Sequence, residues 1–167
     1  MWEQTKKFFG KNRREIFKNR LILFIDDNEV DRRLVEKILT KKDYRVILAS
    51  DGETGLKMVQ TEKPDLVLLD VVLPGMSGIE VCKQLKKDPE TKKIPVIFLT
   101  GMDTPKNLID CYEYGAEDFL SKSISPRLLV HQLELTLIDF VSPFGPIEEI
   151  SSDSSDSSSD TFPPTPR

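Results

Sequence analysis

The stretch that most restricts the fold is residues 65–75, Asp-Leu-Val-Leu-Leu-Asp-Val-Val-Leu-Pro-Gly. An almost unbroken apolar run ends in a carboxylate, Asp70, and a Pro-Gly turn follows at once. A strand with one wet face alternates apolar and polar residues. A run without alternation is covered on both faces, as in the middle of a parallel sheet. Open α/β sheets collect ligands at the carboxyl ends of their strands. The run therefore predicts a buried strand with Asp70 at the reactive edge.

The pattern recurs along the chain. Leu21 to Ile25 is a second apolar run and ends in Asp26-Asp27. Pro95 to Leu99 is another, ending at Thr100-Gly101. Arg45 to Ala49 and Ala116 to Leu120 are shorter strands, the second leading to Ser121-Lys122. The segments between them carry helical periodicity. Asn28 is suited to cap the first, with Val30, Leu34, Val35, Ile38 and Leu39 expected on its inner face. Ser50-Asp51-Gly52 starts the next, which carries Leu56, Met58 and Val59 and stops at Pro64. Ser77 opens a third, with Ile79, Val81, Cys82 and Leu85 inside, ending at Asp88-Pro89. Asp103-Thr104-Pro105 reads as a fourth start, with proline at an early helical position, and Gly115 as its end. Ser125-Pro126 opens the last helix, with Leu128, Leu129, Gln132, Leu133, Leu135 and Leu137 along it. Five strands alternating with five helices predict an α/β fold, a doubly wound parallel sheet with helices on both faces.

The two ends differ from this body. Residues 1–20 hold seven Lys/Arg against Glu3 and Glu15, and residues 139–167 hold six acids against Arg167. In residues 1–19, Trp2, Phe9 and Ile16 recur at seven-residue spacing among basic residues. This predicts a basic amphipathic helical arm that covers part of the domain, ahead of a membrane or partner contact and, last, nucleic acid. Residues 151–160 are only Ser and Asp, so residues 141–167 are expected to form a disordered acidic Ser/Asp/Pro-rich tail. The net charge of −4 over the 167 residues argues against a general nucleic-acid binder. Cys82 and Cys111 lack metal-ligand spacing, which fits reduced thiols in a cytoplasmic protein.

The strand ends bring together Asp26, Asp27, Asp70, Thr100 and Lys122. Three carboxylates repel one another unless a cation joins them, and hard oxygen donors with little His or Cys nearby suit Mg²⁺. A fixed lysine charge and a threonine hydroxyl beside a carboxylate suit phosphoryl transfer onto that carboxylate. A haloacid-dehalogenase type of reading wants a second Asp two residues after the first, where Val72 stands.

With these residues in place, 20–140 resembles a response-regulator receiver domain of two-component signalling, of the CheY-like kind. The resemblance rests on Leu23-Phe24-Ile25-Asp26-Asp27-Asn28, on Leu68 to Gly78, on Phe98-Leu99-Thr100-Gly101, and on Gly115 to Lys122. It implies a flavodoxin-like five-stranded sheet of order 2-1-3-4-5. It implies Asp70 as phosphoacceptor and Mg²⁺ held by Asp26, Asp27, Asp70 and the Val72 backbone carbonyl. It also implies Thr100 and Phe119 as switch residues and Lys122 as the phosphate-binding lysine. The implied partners are a histidine kinase or phosphotransfer protein and a downstream protein. A homodimer through the last two helices and their strand is the family's further habit, and direct DNA binding is not expected.

Two departures from the family stand out. Ser123 follows Lys122 where proline is usual, so the bond is either cis, at a cost of about 2.5–4 kcal/mol, or trans with a different loop. Val72 and Met102 occupy positions where polar side chains commonly orient water, and two apolar groups there would slow phosphoryl hydrolysis. The resulting expectation is a single-domain phosphorylation switch rather than an enzyme. A phosphate sink, or a phosphorylation-independent adaptor tethered by the basic arm, is the alternative. His131, the sole histidine, is expected at the surface or an interface.

Overall fold

The structure, a computed structural model, describes residues 15–101, 109 and 112–141. The expectations for residues 1–14, for the helix start at Asp103-Thr104-Pro105, for Met102 and Cys111, and for the tail from residue 142 lie outside the described residues.

Strands β1 (Leu21–Ile25), β2 (Arg45–Ala49), β3 (Leu66–Leu69), β4 (Val96–Thr100) and β5 (Asp118–Ser121) form one parallel sheet of order β2-β1-β3-β4-β5. Helices α1 (Glu29–Thr40), α2 (Gly52–Glu62), α3 (Gly78–Lys87) and α4 (Pro126–Val141) connect and cover it. Ile109, Tyr112 and Glu113 are helical residues of the crossover between β4 and β5. This is the flavodoxin-like arrangement, doubly wound.

The helix starts follow from local chemistry. Asn28 Oδ1 accepts from the amides of Val30 and Asp31, Asp51 from Thr54, and Ser77 forms a reciprocal box with Glu80. Each satisfies amides that the first helical turn leaves without partners. The last helix begins at Pro126, with Ser125 Oγ accepting from Leu128 N.

β1, β3 and β4 are buried along their whole length, as unalternated runs require. Alternate residues feed two cores. Ile22, Phe24, Leu66, Leu68, Ile97 and Leu99 meet α1 and α4 through Val35, Leu39, Leu129, Leu133 and Leu137. Leu23, Ile25, Val67, Leu69, Val96 and Phe98 meet α2 and α3 through Val59, Val81, Cys82 and Leu85. Phe17, at the end of a short helical stretch over residues 15–17, is buried in the first core.

Two of the five residues expected inside α1 are not there. Val30 is 73% exposed and Leu34 55%. The stripe that meets the sheet runs through Val35 and Leu39, with Ile38 beside it. Leu34 lies about 100° and Val30 about 140° round the helix from Val35. β5 starts at Asp118 rather than Ala116, because Ala116 and Glu117 belong to the approach to the strand.

The amino ends of the strands are clipped together. Lys86 Nζ donates to Glu117 Oε1 at 2.8 Å and to the carbonyls of Lys92 and Ile94, while Glu117 Oε2 accepts from Val96 N. Asp65 similarly accepts from Arg20 Nη1 and from Leu21 N.

Candidate functional site

Asp26 leaves β1 with its amide on Ala49 O at 3.0 Å, and Asp70 leaves β3 with its amide on Ile25 O at 2.9 Å. The two backbones therefore run side by side, and both residues are buried, 0% and 5% exposed. Asp27 is on the solvent side. One carboxylate oxygen from each of Asp26, Asp27 and Asp70 lies within 4.8 Å of the others. The amino end of α3 presses on this edge, with Gly78 N donating to Val71 O at 2.9 Å. A Cβ on Gly78 would sit 1.9 Å from Asp70 O, so only glycine fits.

Lys122 comes from the far strand. Its amide donates to Thr100 O at 2.9 Å, continuing the β4–β5 ladder by one residue. Its ammonium donates to Asp70 Oδ2 and to Asp31 Oδ2, both at 2.8 Å. It also lies 2.7 Å from Asp26 Oδ2, as an ion pair rather than an aligned hydrogen bond. The Lys122–Ser123 peptide is trans. Thr100 is buried at the end of β4. Phe119 pairs in register with Phe98 and is partly buried against the α2/α3 core. Val72 is 52% exposed at the mouth, its amide 3.4 Å from Asp70 Oδ1.

Asp26, Asp27, Asp70 and Lys122 thus meet at one edge, with Thr100 beside them. Asp31 was not foreseen. Its signal in the sequence is faint: it is an acid in the first turn of α1, where the helix amino end favours a carboxylate whether or not a site is near. Arg32, its neighbour, donates to Asp26 O at 2.6 Å and was equally unanticipated.

The electrostatics are those of an acid cluster paired with the Lys122 ammonium. Burial pushes the Asp26 carboxyl above its ordinary value, and the interactions with Lys122 and Asn28 N pull it back only in part. Burial alone would lower the Lys122 ammonium. Its interactions with Asp26, Asp31 and Asp70 outweigh burial and raise it above an ordinary lysine, so it stays charged. Asp26 Oδ2 is buried and makes no aligned hydrogen bond. Such an atom, in a set of hard carboxylate oxygens, fits a small divalent cation of the Mg²⁺ class.

Residues 22–134 match the response regulator receiver domain. The chain belongs to this family. As a receiver domain it is 46% identical over 108 residues to the response regulator PleD of Caulobacter vibrioides, a match spanning 65% of this chain and 24% of PleD. It is 34% identical over 116 residues to the protein PilH of Pseudomonas aeruginosa, spanning 70% of this chain and 96% of PilH. Among solved structures it resembles the BeF3-activated N-terminal receiver domain of Klebsiella pneumoniae RstA. That likeness has a TM-score of 0.67 and 34% identity, covering 70% of this chain and 97% of that one. The chain thus aligns with about a quarter of PleD but with nearly the whole of PilH. Receiver domains are regulatory switch modules of two-component signalling, phosphorylated on aspartate.

Proposed function

We propose that this receiver takes a phosphoryl group on Asp70 from a histidine kinase or phosphotransfer protein, in a Mg²⁺-dependent reaction, and signals by exchanging protein partners. The observation that carries the reading is the Lys122 ammonium held 2.8 Å from Asp70 beside the cluster of Asp26, Asp27 and Asp70. An Asp70 carboxylate oxygen attacks phosphorus as the phosphorus–nitrogen bond to the donor imidazole breaks. The imidazole leaves with the bonding pair and regains neutrality on protonation. Asp26, Asp27, Asp70 and the Val72 carbonyl would hold the metal, which neutralises charge on the transferring oxygens. Lys122 supplies a second positive charge to those oxygens, and the Thr100 hydroxyl a hydrogen bond.

Switching then runs from Thr100 and Phe119 to the face made by the β4–β5 crossover helix, β5 and α4. Asp118 bridges all three, accepting from Tyr112 Oη at 3.3 Å and from Gln132 Nε2 at 2.6 Å. This face is our choice for the downstream partner or a homodimer. Among the described residues no helix is long and apolar enough to cross a membrane. Our reading sets the reaction in the cytoplasm, with no catalysis beyond self-phosphorylation and dephosphorylation.

The test is incubation with acetyl phosphate, or with beryllofluoride, plus Mg²⁺. We expect modification by acetyl phosphate, and a conformational response to either reagent, in the wild type but not in Asp70→Asn. An identical response in both proteins, or none in the wild type, leaves the phosphorylation-independent adaptor as the better reading.

A further inference from the structure

We infer that Asp31 is a positioning residue for Lys122: it anchors the ammonium to α1 so that the charge meets phosphoryl oxygens on Asp70 already oriented. The inference rests on the phosphoacceptor reading above.

A lysine is a poor aiming device by itself. Its charge rides on a flexible four-carbon stem, and its three N–H donors rotate freely. Lys122 escapes this looseness because its side chain, 23% exposed, is held from both sides. On the sheet side are Asp26 and Asp70, and on the helix side is Asp31, 91 residues away in the chain. Asp31 is itself firmly mounted. Its amide is bound by the capping Asn28 at 3.3 Å, and Arg32 next to it bonds the Asp26 carbonyl. The first turn of α1 is therefore tied to the same edge that carries the nucleophile.

The roles of the four carboxylates separate. Asp26, Asp27 and Asp70 converge on one point, and Asp31 is not a member of that group. Placing a fourth negative charge beside three others is unfavourable unless it retains a cation, and the cation that Asp31 touches is the ammonium. When Asp70 becomes an acyl phosphate, its bond to Lys122 must pass to a phosphoryl oxygen. The bond to Asp31 involves no atom that reacts, so it can persist through the transfer. It leaves the remaining donors facing the incoming group, which is orientation secured before the chemistry. The competing assignment is an incidental, partly exposed ion pair of the kind that contributes little.

Beryllofluoride titration of the full chain in saturating Mg²⁺ distinguishes them, with Mg²⁺ affinity measured separately by calorimetry. We expect Asp31→Ala to weaken beryllofluoride about tenfold, the affinity equivalent of one charge-assisted hydrogen bond. Asp31→Asn, which keeps an acceptor oxygen, should recover part of the loss. Mg²⁺ affinity should not weaken in either variant. In a Lys122→Ala background, adding Asp31→Ala should cost nothing further, because the residue acts through the lysine. Unchanged or tighter beryllofluoride binding in Asp31→Ala overturns the inference. So does parallel loss of Mg²⁺, which would make Asp31 a ligand, or full additivity of the two substitutions. A wild type that ignores beryllofluoride brings down the phosphoacceptor reading itself, and this inference with it.

Discussion

Replacing Gly78 by alanine measures how rigidly Asp70, the proposed phosphoacceptor, is mounted. The new Cβ would lie 1.9 Å from Asp70 O, 2.8 Å from its carbonyl carbon and 3.0 Å from Val71 Cα. A carbon–oxygen contact relaxes at about 3.3 Å or more, so roughly 1.4 Å of separation must be found. Every atom in the way is backbone. On one side it is fixed by Asp70 N on Ile25 O, and on the other by Gly78 N on Val71 O, both at 2.9 Å. Overpacking costs about 1–3 kcal/mol, and with no side chain able to yield we expect the upper end. The displacement falls on Asp70 itself, and a misplacement of about 1 Å costs on the order of a hundredfold in a positioned reaction. Urea unfolding should show a loss of about 3 kcal/mol. Phosphorylation by acetyl phosphate should slow by roughly ten- to a hundredfold. A variant within about 0.5 kcal/mol of wild type, phosphorylated at the wild-type rate, would refute the rigid mounting.

Other expectations are more local. Glu117→Ala removes an acceptor from Lys86 and leaves Val96 N without its carboxylate. Chemical denaturation should register a loss of about 2 kcal/mol, while a loss below about 0.5 kcal/mol would mean solvent replaces the clip. Asp26 is raised above its ordinary value of 3.8, chiefly by burial. Between the unfolded and folded values the native state holds a proton that the unfolded chain has released. Its contribution to metal-free stability is therefore complete below the unfolded value and lost as pH rises through the folded one. Mg²⁺ binding needs the ionised form, so affinity should run the other way and fall on acidification, as calorimetry over about pH 5 to 8 can check. Val72→Asn puts a polar group at the half-exposed mouth of the site and should shorten the lifetime of phosphorylated Asp70 several-fold. An unchanged decay would sink the shielding idea.

What the sequence showed was what short stretches decide. Unalternated runs identified β1, β3 and β4 because double-sided burial leaves no other pattern. Asn28, Asp51, Ser77 and Pro126 marked helix starts because capping is local chemistry. The order of Asp26, Asp27, Asp70, Thr100 and Lys122 at strand ends assembled most of the candidate site, since the fold sends all strand ends to one edge. Long-range pairing was not legible. Asp31 gains meaning only when Lys122 arrives from the other end of the domain, and Glu117 only when Lys86 reaches it. Val30 and Leu34 were misassigned for a related reason. Apolar residues at 30, 34, 35, 38 and 39 make a stripe wider than one helix–sheet contact, and the sheet's position decides which part is buried.

β5 borders a single neighbour, β4, and stands at the edge of the sheet. It also delivers the lysine that balances the acids of β1 and β3. Detachment of this one strand, the kind of partial opening seen by amide hydrogen exchange, removes the counter-charge in the same event. The acids then repel, which opposes further compaction until the strand returns. Lys122 reaches Asp31 only by closing a loop of 91 residues, so the pair is a non-local contact that carries a loop-closure cost. A growing polypeptide that stops short of residue 122 carries the acid cluster without its lysine. The strand that completes the sheet is thus also the one that completes the charge balance of the candidate site, and the two are gained or lost together.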